Sequence, residues 1–247
     1  MGASKQQRPK TSKKIKQDSF IKKEWRHVMV PAYFTGKHDI GVTVSNKCAR
    51  GRVPMDYVNN RVWELSHADM VNDLSHAYRL FSWRSIAAGS EVYTQFAGMR
   101  LTHDKLDSIM RKYRTLINAS VDAKTADGFI LRLFTVGFTK KLANSHKNHT
   151  YANSHKARQV RDVMVKCLTD ACESNGVEQL CKDFVDEKIE NEIVEKCKQI
   201  CQIEGVYITK VKVIKAPALS NEQVKVLKIS KDAAQLSLAP TERPAEE

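Results

Sequence analysis

No stretch of this chain reaches about 18 consecutive apolar residues, so no segment reads as a membrane-spanning helix. The opening MGASKQQRPKTSKKIK lacks the apolar middle of a signal peptide. Gly2 sits where a myristoylated glycine would, but Gln6 takes the place of the expected Ser or Thr. No internal repeat is visible, which leaves solenoids and arrays aside.

None of the six cysteines (Cys48, Cys167, Cys172, Cys181, Cys197, Cys201) stands in a CxxC pair, the spacing of zinc knuckles and dithiol redox sites. Free thiols in a reducing compartment are expected, packing as small apolar groups. A zinc site of His146, His149, Cys167 and Cys172 would need separations that match no standard finger. Cys197 and Cys201, four apart, fit one helix face and core burial. HExxH, GxSxG, Walker and GxGxxG motifs are all missing, and no catalytic residue, metal or cofactor is expected. Asp69 and Asp73 could hold Mg²⁺ in a nuclease, although helix-surface acids at this spacing are common.

What the chain has is positive charge. Forty-one Lys and Arg against 28 Asp and Glu give +13 over 247 residues. That balance favours a polyanionic partner, nucleic acid first and an acidic membrane surface second. An apolar fraction of 42% is enough for a folded core. Three regions follow: a basic arm at 1–24, one α+β domain at 25–216 and a polar tail at 217–247. The arm carries Lys5, Arg8, Lys10, Lys13, Lys14, Lys16, Lys22 and Lys23 against Asp18 and Glu24, so it is expected to stay extended until an anion neutralises it. A merely solubilising tail is the plainer reading of the same residues.

From Trp25 to Leu101, short apolar or alternating runs predict strands: HVMVPAYF, DIGVTVS, NRVWELS, YRLFSWRSIAA and EVYTQFAGMRL, with a helical turn at HADMVNDL. LTHDKLDSIMRKYRTLINA then predicts a helix with Leu106, Ile109, Met110, Tyr113, Leu116 and Ile117 on one stripe. Lys105, Arg111, Lys112 and Arg114 occupy its other face. ASVDAKTADGFILRLFTVGFT reads as a hairpin turning at Asp127-Gly128. Its second strand is apolar on both faces, as inside a closed or covered sheet, and Gly137 marks a bend or bulge. Helices follow at SHKARQVRDVMVKCLTDACES and, broken or paired, at VEQLCKDFVDEKIENEIVEKCKQI. GVYITKVKVIK returns to strand period, with Val206, Ile208, Lys210, Lys212 and Ile214 on one side.

The charge is not spread evenly. From Gly128 to Arg161 there is no Asp or Glu, while Lys140, Lys141, Lys147, Lys156, Arg158 and Arg161 accumulate beside His146, His149, His155 and Tyr151. From Cys167 to Glu204 the sign reverses, with ten acids against four lysines. A solvated surface ordinarily mixes its signs, so the acid-free stretch reads as a phosphate-binding site. Its Asn, Ser, His and Tyr side chains suit sugar and base contacts. Arg132 is set apart from it: inside an apolar strand its guanidinium needs a carboxylate, a carbonyl or an edge. The acidic helices should face solvent or basic protein neighbours.

Several stretches resemble one family, the eukaryotic and archaeal small-subunit ribosomal proteins called S-one-e, formerly S-three-a. KKEWRHVMVPAYF resembles the family's opening, and VNNRVWELSHADM its signature, with Arg61, Val62, Glu64, Ser66 and Asp69 in place. Asn60, His67 and Met70 depart from the usual Gly, Leu and Leu. FAGMRLTHDKLDSIMRKYRTLINASVDAKTADGFILRLFTVGFTKK is the longest match, and TYANSHKARQVR and KVKVIKAPAL resemble later landmarks. The resemblance implies a β-barrel-like, mostly antiparallel sheet with packed helices. It also implies a structural, non-catalytic place on the small-subunit platform near the messenger exit, against small-subunit rRNA. Neighbouring platform proteins and initiation factors would be partners, with cytoplasmic, ribosome-bound residence and nuclear assembly. The rival readings are a metal-dependent RNA-processing nuclease and a free-standing RNA-binding adaptor.

Overall fold

The computed structural model describes residues 18–34, 36–47, 51, 54–88 and 91–217. Arm residues Lys5, Arg8, Lys10, Lys13, Lys14 and Lys16, together with Cys48 and the tail from residue 218, lie outside the described residues.

The chain runs β1 (Lys23–Met29), β2 (Asp39–Asn46), α1 (Pro54–Val58), β3 (Val62–Ser66), α2 (His67–Val71), β4 (Arg79–Ala88), β5 (Val92–Leu101) and α3 (His103–Ile109). It continues through β6 (Leu116–Lys124), β7 (Ile130–Thr139), α4 (Ser154–Ser174), α5 (Val177–Val185), α6 (Lys188–Cys197) and β8 (Ile203–Lys215). The result is α+β: one mixed, largely antiparallel sheet of eight strands with α4, α5 and α6 gathered into a helical layer. The strand order is β2-β1-β5-β8-β7-β6, with β4 on β5 and β3 beyond β4.

The sheet forks at β5. One edge of β5 pairs with β4 from Leu101 back to Val92. The other edge is shared, with β1 parallel at Val92 and Tyr93 and β8 antiparallel from Gly98 to Arg100. Closing a barrel requires the outermost strands to meet. Here β2, β3 and β6 each keep one unpaired edge among the described residues, so the implied barrel stays open. The strand β7 is therefore covered rather than enclosed. The residues of the β7 inner face, such as Leu131 and Leu133, are fully buried in the cluster that contains Val160, Met164 and Leu168 of α4.

Three local features depart from simple periodicity. The helix predicted over residues 102–117 ends at Ile109. Tyr113 takes a left-handed φ of 60°, and Leu116 and Ile117 leave the helical stripe to pair with Phe138 and Gly137 of β7. Tertiary pairing outweighs a stripe that either secondary structure can satisfy. The hairpin β6–β7 closes between Thr125 and Phe129, leaving a three-residue loop in which Gly128 adopts φ 85°. Asp127 at its tip accepts the Val177 amide at 2.6 Å and so caps α5 from another element. In β8, strict alternation would bury Lys210 and Lys212 with Ile208. A bulge at Thr209, where Phe134 faces Lys210 but Thr135 faces Ile208, reverses the side-chain parity. Val211 is buried and both lysines reach solvent. The arm also ends earlier than its composition suggests, since Ser19–Lys22 forms a 3₁₀ turn capped by Asp18 and β1 begins at Lys23.

Two expectations come from packing. A Cβ on Gly98 would lie 2.6 Å from the Val211 carbonyl oxygen, because β8 presses directly on β5 there. Gly98→Ala should cost about 1–3 kcal/mol in urea unfolding. His67 is buried against Phe34, Phe81 and His76 at ring distances of 5.0, 5.9 and 5.8 Å, and burial pushes its pKa down to about 4. The unfolded chain takes up that proton below about pH 6.5. Stability present above that value should fall by roughly 1.4 kcal/mol per unit as pH drops towards 4. In His67→Phe, chemical denaturation across this window should lose that slope.

Candidate nucleic-acid interface

One end of the sheet gathers three connections: α3 to β6, β7 to α4, and α6 to β8. They meet there because β6, β7 and β8 are antiparallel neighbours, so the start of β6, the end of β7 and the start of β8 coincide. The acid-free segment leaves this end as residues 140–153 and runs into α4.

A small polar knot fixes the base of this loop. Thr139 is fully buried at the end of β7, and its hydroxyl accepts the Thr115 amide at 3.1 Å while donating to the Thr150 carbonyl. Thr115 in turn accepts the Ala152 amide through its hydroxyl at 2.9 Å. The Thr150 amide donates to the Tyr113 carbonyl at 2.8 Å, and Arg114 and Thr150 form an isolated parallel bridge. At the other root the Lys140 amide donates to Gln202 at 2.9 Å. The loop is thus held at its two ends, while its side chains stand out.

Lys140, Lys141, His146, Lys147, His149, Tyr151, Lys156, Arg158 and Arg161 are all exposed. His149 and Tyr151 stack at 5.3 Å between ring centroids with an interplanar angle of 25°. Arg158 and Arg161 share the exposed face of α4, and Arg161 donates from Nε to the Asn118 carbonyl of edge strand β6 at 3.2 Å. Asn153 occupies the N-cap of α4 without a side-chain bond to the helix, and the first turn carries no acid. The helix dipole there adds to the positive field.

Several cations elsewhere are neutralised locally: Arg26 by Glu24, Arg79 by Glu187, Arg100 by Glu64, Lys182 by Glu178 and Lys196 by Glu192, at 2.5–2.9 Å. Among the described residues, no cation from Lys140 to Arg161 forms an ion pair. Arg132 belongs with the paired group. It grips Asp122 through Nε and Nη2, both at 2.6 Å, across the hairpin. That pair lies on the exposed face of the strand, not inside it, and it holds the Asp122 carboxyl below its ordinary pKa.

The remaining sequence-derived candidates lie elsewhere. Lys23 donates from Nζ to Asn46 on β2, and β5 and β8 separate its strand from β7. Lys22 lies in the 3₁₀ turn before it. Asp73 accepts from the amide and hydroxyl of Ser75 at 3.0 and 2.7 Å, capping a 3₁₀ turn, while Asp69 sits exposed in the first turn of α2. Cys167 and Cys172 are buried in the core, as are Cys181 and Cys197, whereas Cys201 is half-exposed. Sequence reasoning missed the contribution of Met110–Tyr113, which it had folded into a helix. These residues are exposed and lie beside the loop through the Tyr113–Thr150 bond. The usable signal was their composition, since Arg111 and Lys112 have no acid beside them.

Thr139→Val would leave the Thr115 amide and Thr150 carbonyl without their partner, costing about 1–3 kcal/mol. Trypsin should then cut at Lys140, Lys141 and Lys147 markedly faster in the variant than in the parent chain. Unchanged cleavage would show that the knot does not hold the loop.

Residues 11–217 match the model of the Ribosomal S3Ae family. Over 217 residues the chain is 37% identical to the small ribosomal subunit protein eS1 of Brugia malayi, covering 88% of this chain and 84% of that protein. No helix among the described residues is long and apolar enough to cross a membrane. The chain belongs to the Ribosomal S3Ae family, a family of structural ribosomal components rather than enzymes.

Proposed function

We propose that the chain binds small-subunit rRNA at the platform near the messenger exit and supports translation from there. The observation that carries this reading is the cluster of unpaired cations on an acid-free, anchored loop and the helix that follows it. Unpaired cations on an exposed surface keep their full capacity to release counterions from a phosphate backbone. His149 and Tyr151 add a stacked pair of rings, a surface that suits unpaired bases. The basic arm, with Lys5, Arg8, Lys10, Lys13, Lys14 and Lys16, would thread between RNA strands in the same way.

The helices α5 and α6 point to a second class of neighbour. Glu178, Asp186, Glu192 and Glu195 are exposed on them, which suits solvent or a basic platform protein better than RNA. Initiation factors would meet the same exposed part of the subunit. Residence is cytoplasmic and ribosome-bound, with assembly in the nucleus and nucleolus.

Simultaneous reversal of Lys140, Lys141, Arg158 and Arg161 to Glu should weaken binding of the purified chain to platform rRNA. The logarithmic salt slope should flatten by roughly three to four units if each cation meets one phosphate. An unchanged slope would remove this surface from consideration. In cell extracts the parent chain should sediment with small subunits, and recovery of most of it free would instead favour a free-standing adaptor.

A further inference from the structure

A pocket of about 330 Å³ opens beside the loop, at the same end of the sheet. The floor is apolar, formed by Ile109 and Phe138, both buried. Lys105, Arg111 and Arg114 line it together with Glu204 and Tyr207. Three elements distant in sequence supply these groups: α3 with the connection that follows it, the end of β7, and the start of β8. The pocket touches the proposed RNA surface, since Arg114 also bridges to Thr150 and β8 reaches Lys140 through Gln202.

The charges in this pocket do not balance. Arg114 pairs with Glu204 at 2.6 Å. Lys105 places its ammonium over the rings of Tyr78 and Tyr207, at 4.1 and 5.0 Å from their centroids, and has no carboxylate partner among the described residues. Arg111 is exposed and likewise without an ion pair. A half-enclosed, apolar-floored site with three cations and one acid is built for an anion. Its size accommodates one nucleotide unit and excludes a helix.

We propose that this pocket seats a single phosphate-bearing nucleotide of RNA, with Lys105 and Arg111 holding the phosphate and Glu204 restraining Arg114 as a competing anion. The proposal rests on the RNA-binding reading above but concerns different residues. The phosphate would be received by Lys105 and Arg111, neither of which has an ion pair among the described residues. Glu204, half-exposed on β8, lowers the positive field at the mouth and limits affinity for stray anions. Neutralising Glu204 should therefore strengthen RNA binding. A purely structural Arg114–Glu204 bridge predicts only a change in stability.

The test uses the full chain and a short fluorescent oligouridylate, read by anisotropy over a salt series. Lys105→Ala with Arg111→Ala should weaken binding several-fold and lower the salt slope by about 0.7, the value for one single-strand phosphate. Glu204→Gln should tighten binding by roughly two- to fivefold at low salt, the scale of one exposed charge interaction. Both effects together support the pocket. Glu204→Gln that weakens binding, or leaves it unchanged, overturns it. So does an unchanged slope in the double alanine variant while reversal of Lys140, Lys141, Arg158 and Arg161 flattens it, a result that keeps the broader RNA reading. If neither set alters the slope, the broader reading fails as well. Inorganic phosphate provides a final arm: a Glu204→Gln gain seen with phosphate but not with oligouridylate would make this a free-phosphate site and refute the RNA assignment.

Discussion

The fold depends on β8. This strand lies between β5 and β7, and among the described residues it is the strand that joins the two parts of the sheet. Its partners come from residues 98–100 and 130–139, so the sheet is completed late in the chain by pairing over a long sequence separation. Joining such distant segments costs loop-closure entropy that the apolar contacts of Ile203, Val206, Ile208 and Val211 must offset. The bulge at Thr209 lets one strand do this while sending Lys210 and Lys212 outward. Glu190 of α6 accepts the Ile208 amide at 3.4 Å, which ties the helical layer to the same strand.

The two signs of charge are then separated by architecture. Acids on α5 and α6 are largely used within the helical layer: Glu178 holds Lys182, Glu192 holds Lys196, and Asp183 receives Gln179 and Lys188. Glu187 reaches across to the fully buried Arg79 at the start of β4. Glu190, buried beside the same guanidinium, has its pKa raised to about 7 by burial, so charge in this layer is strongly tied to its surroundings. None of these acids reaches the cations of residues 140–161, which leaves that loop free to neutralise something outside the chain.

Much of this was legible in the sequence, and the limits have physical causes. The helix α4 was readable end to end because its stripe of Val160, Met164, Cys167 and Leu168 has no competing strand period. The strands β2 to β5 were legible from alternation bounded by turn residues, although the barrel implied by family resemblance is an open, forked sheet. The end of α3 was not legible, since Leu116 and Ile117 satisfy a helical stripe and a strand equally until β7 is there to pair with them. The bulge at Thr209 arises from register between strands, which one strand's pattern does not carry. The partner of Arg132 could have been deduced: in a hairpin centred on Asp127, Asp122 and Arg132 stand opposite each other. Lys140 to Arg161 was visible because one contiguous segment carries the charge. Lys105, Arg111 and Arg114 could be grouped on one predicted face, but their meeting with Glu204 could not, because only the antiparallel order of β6, β7 and β8 brings the start of β8 to them.

That difference bears on how a basic surface gains selectivity. A contiguous run of cations on an exposed loop meets phosphates of almost any strand, because long side chains adapt and the attraction is long-ranged. A pocket assembled from three segments, with an apolar floor and an acid in its lining, would reward one arrangement of backbone and penalise others. The Thr115–Thr139–Thr150 knot couples the two by fixing the loop relative to the sheet end from which the pocket is built. On the proposed reading, charge would draw RNA to this end of the molecule, and the rigid sheet beneath it would determine the position in which the strand comes to rest.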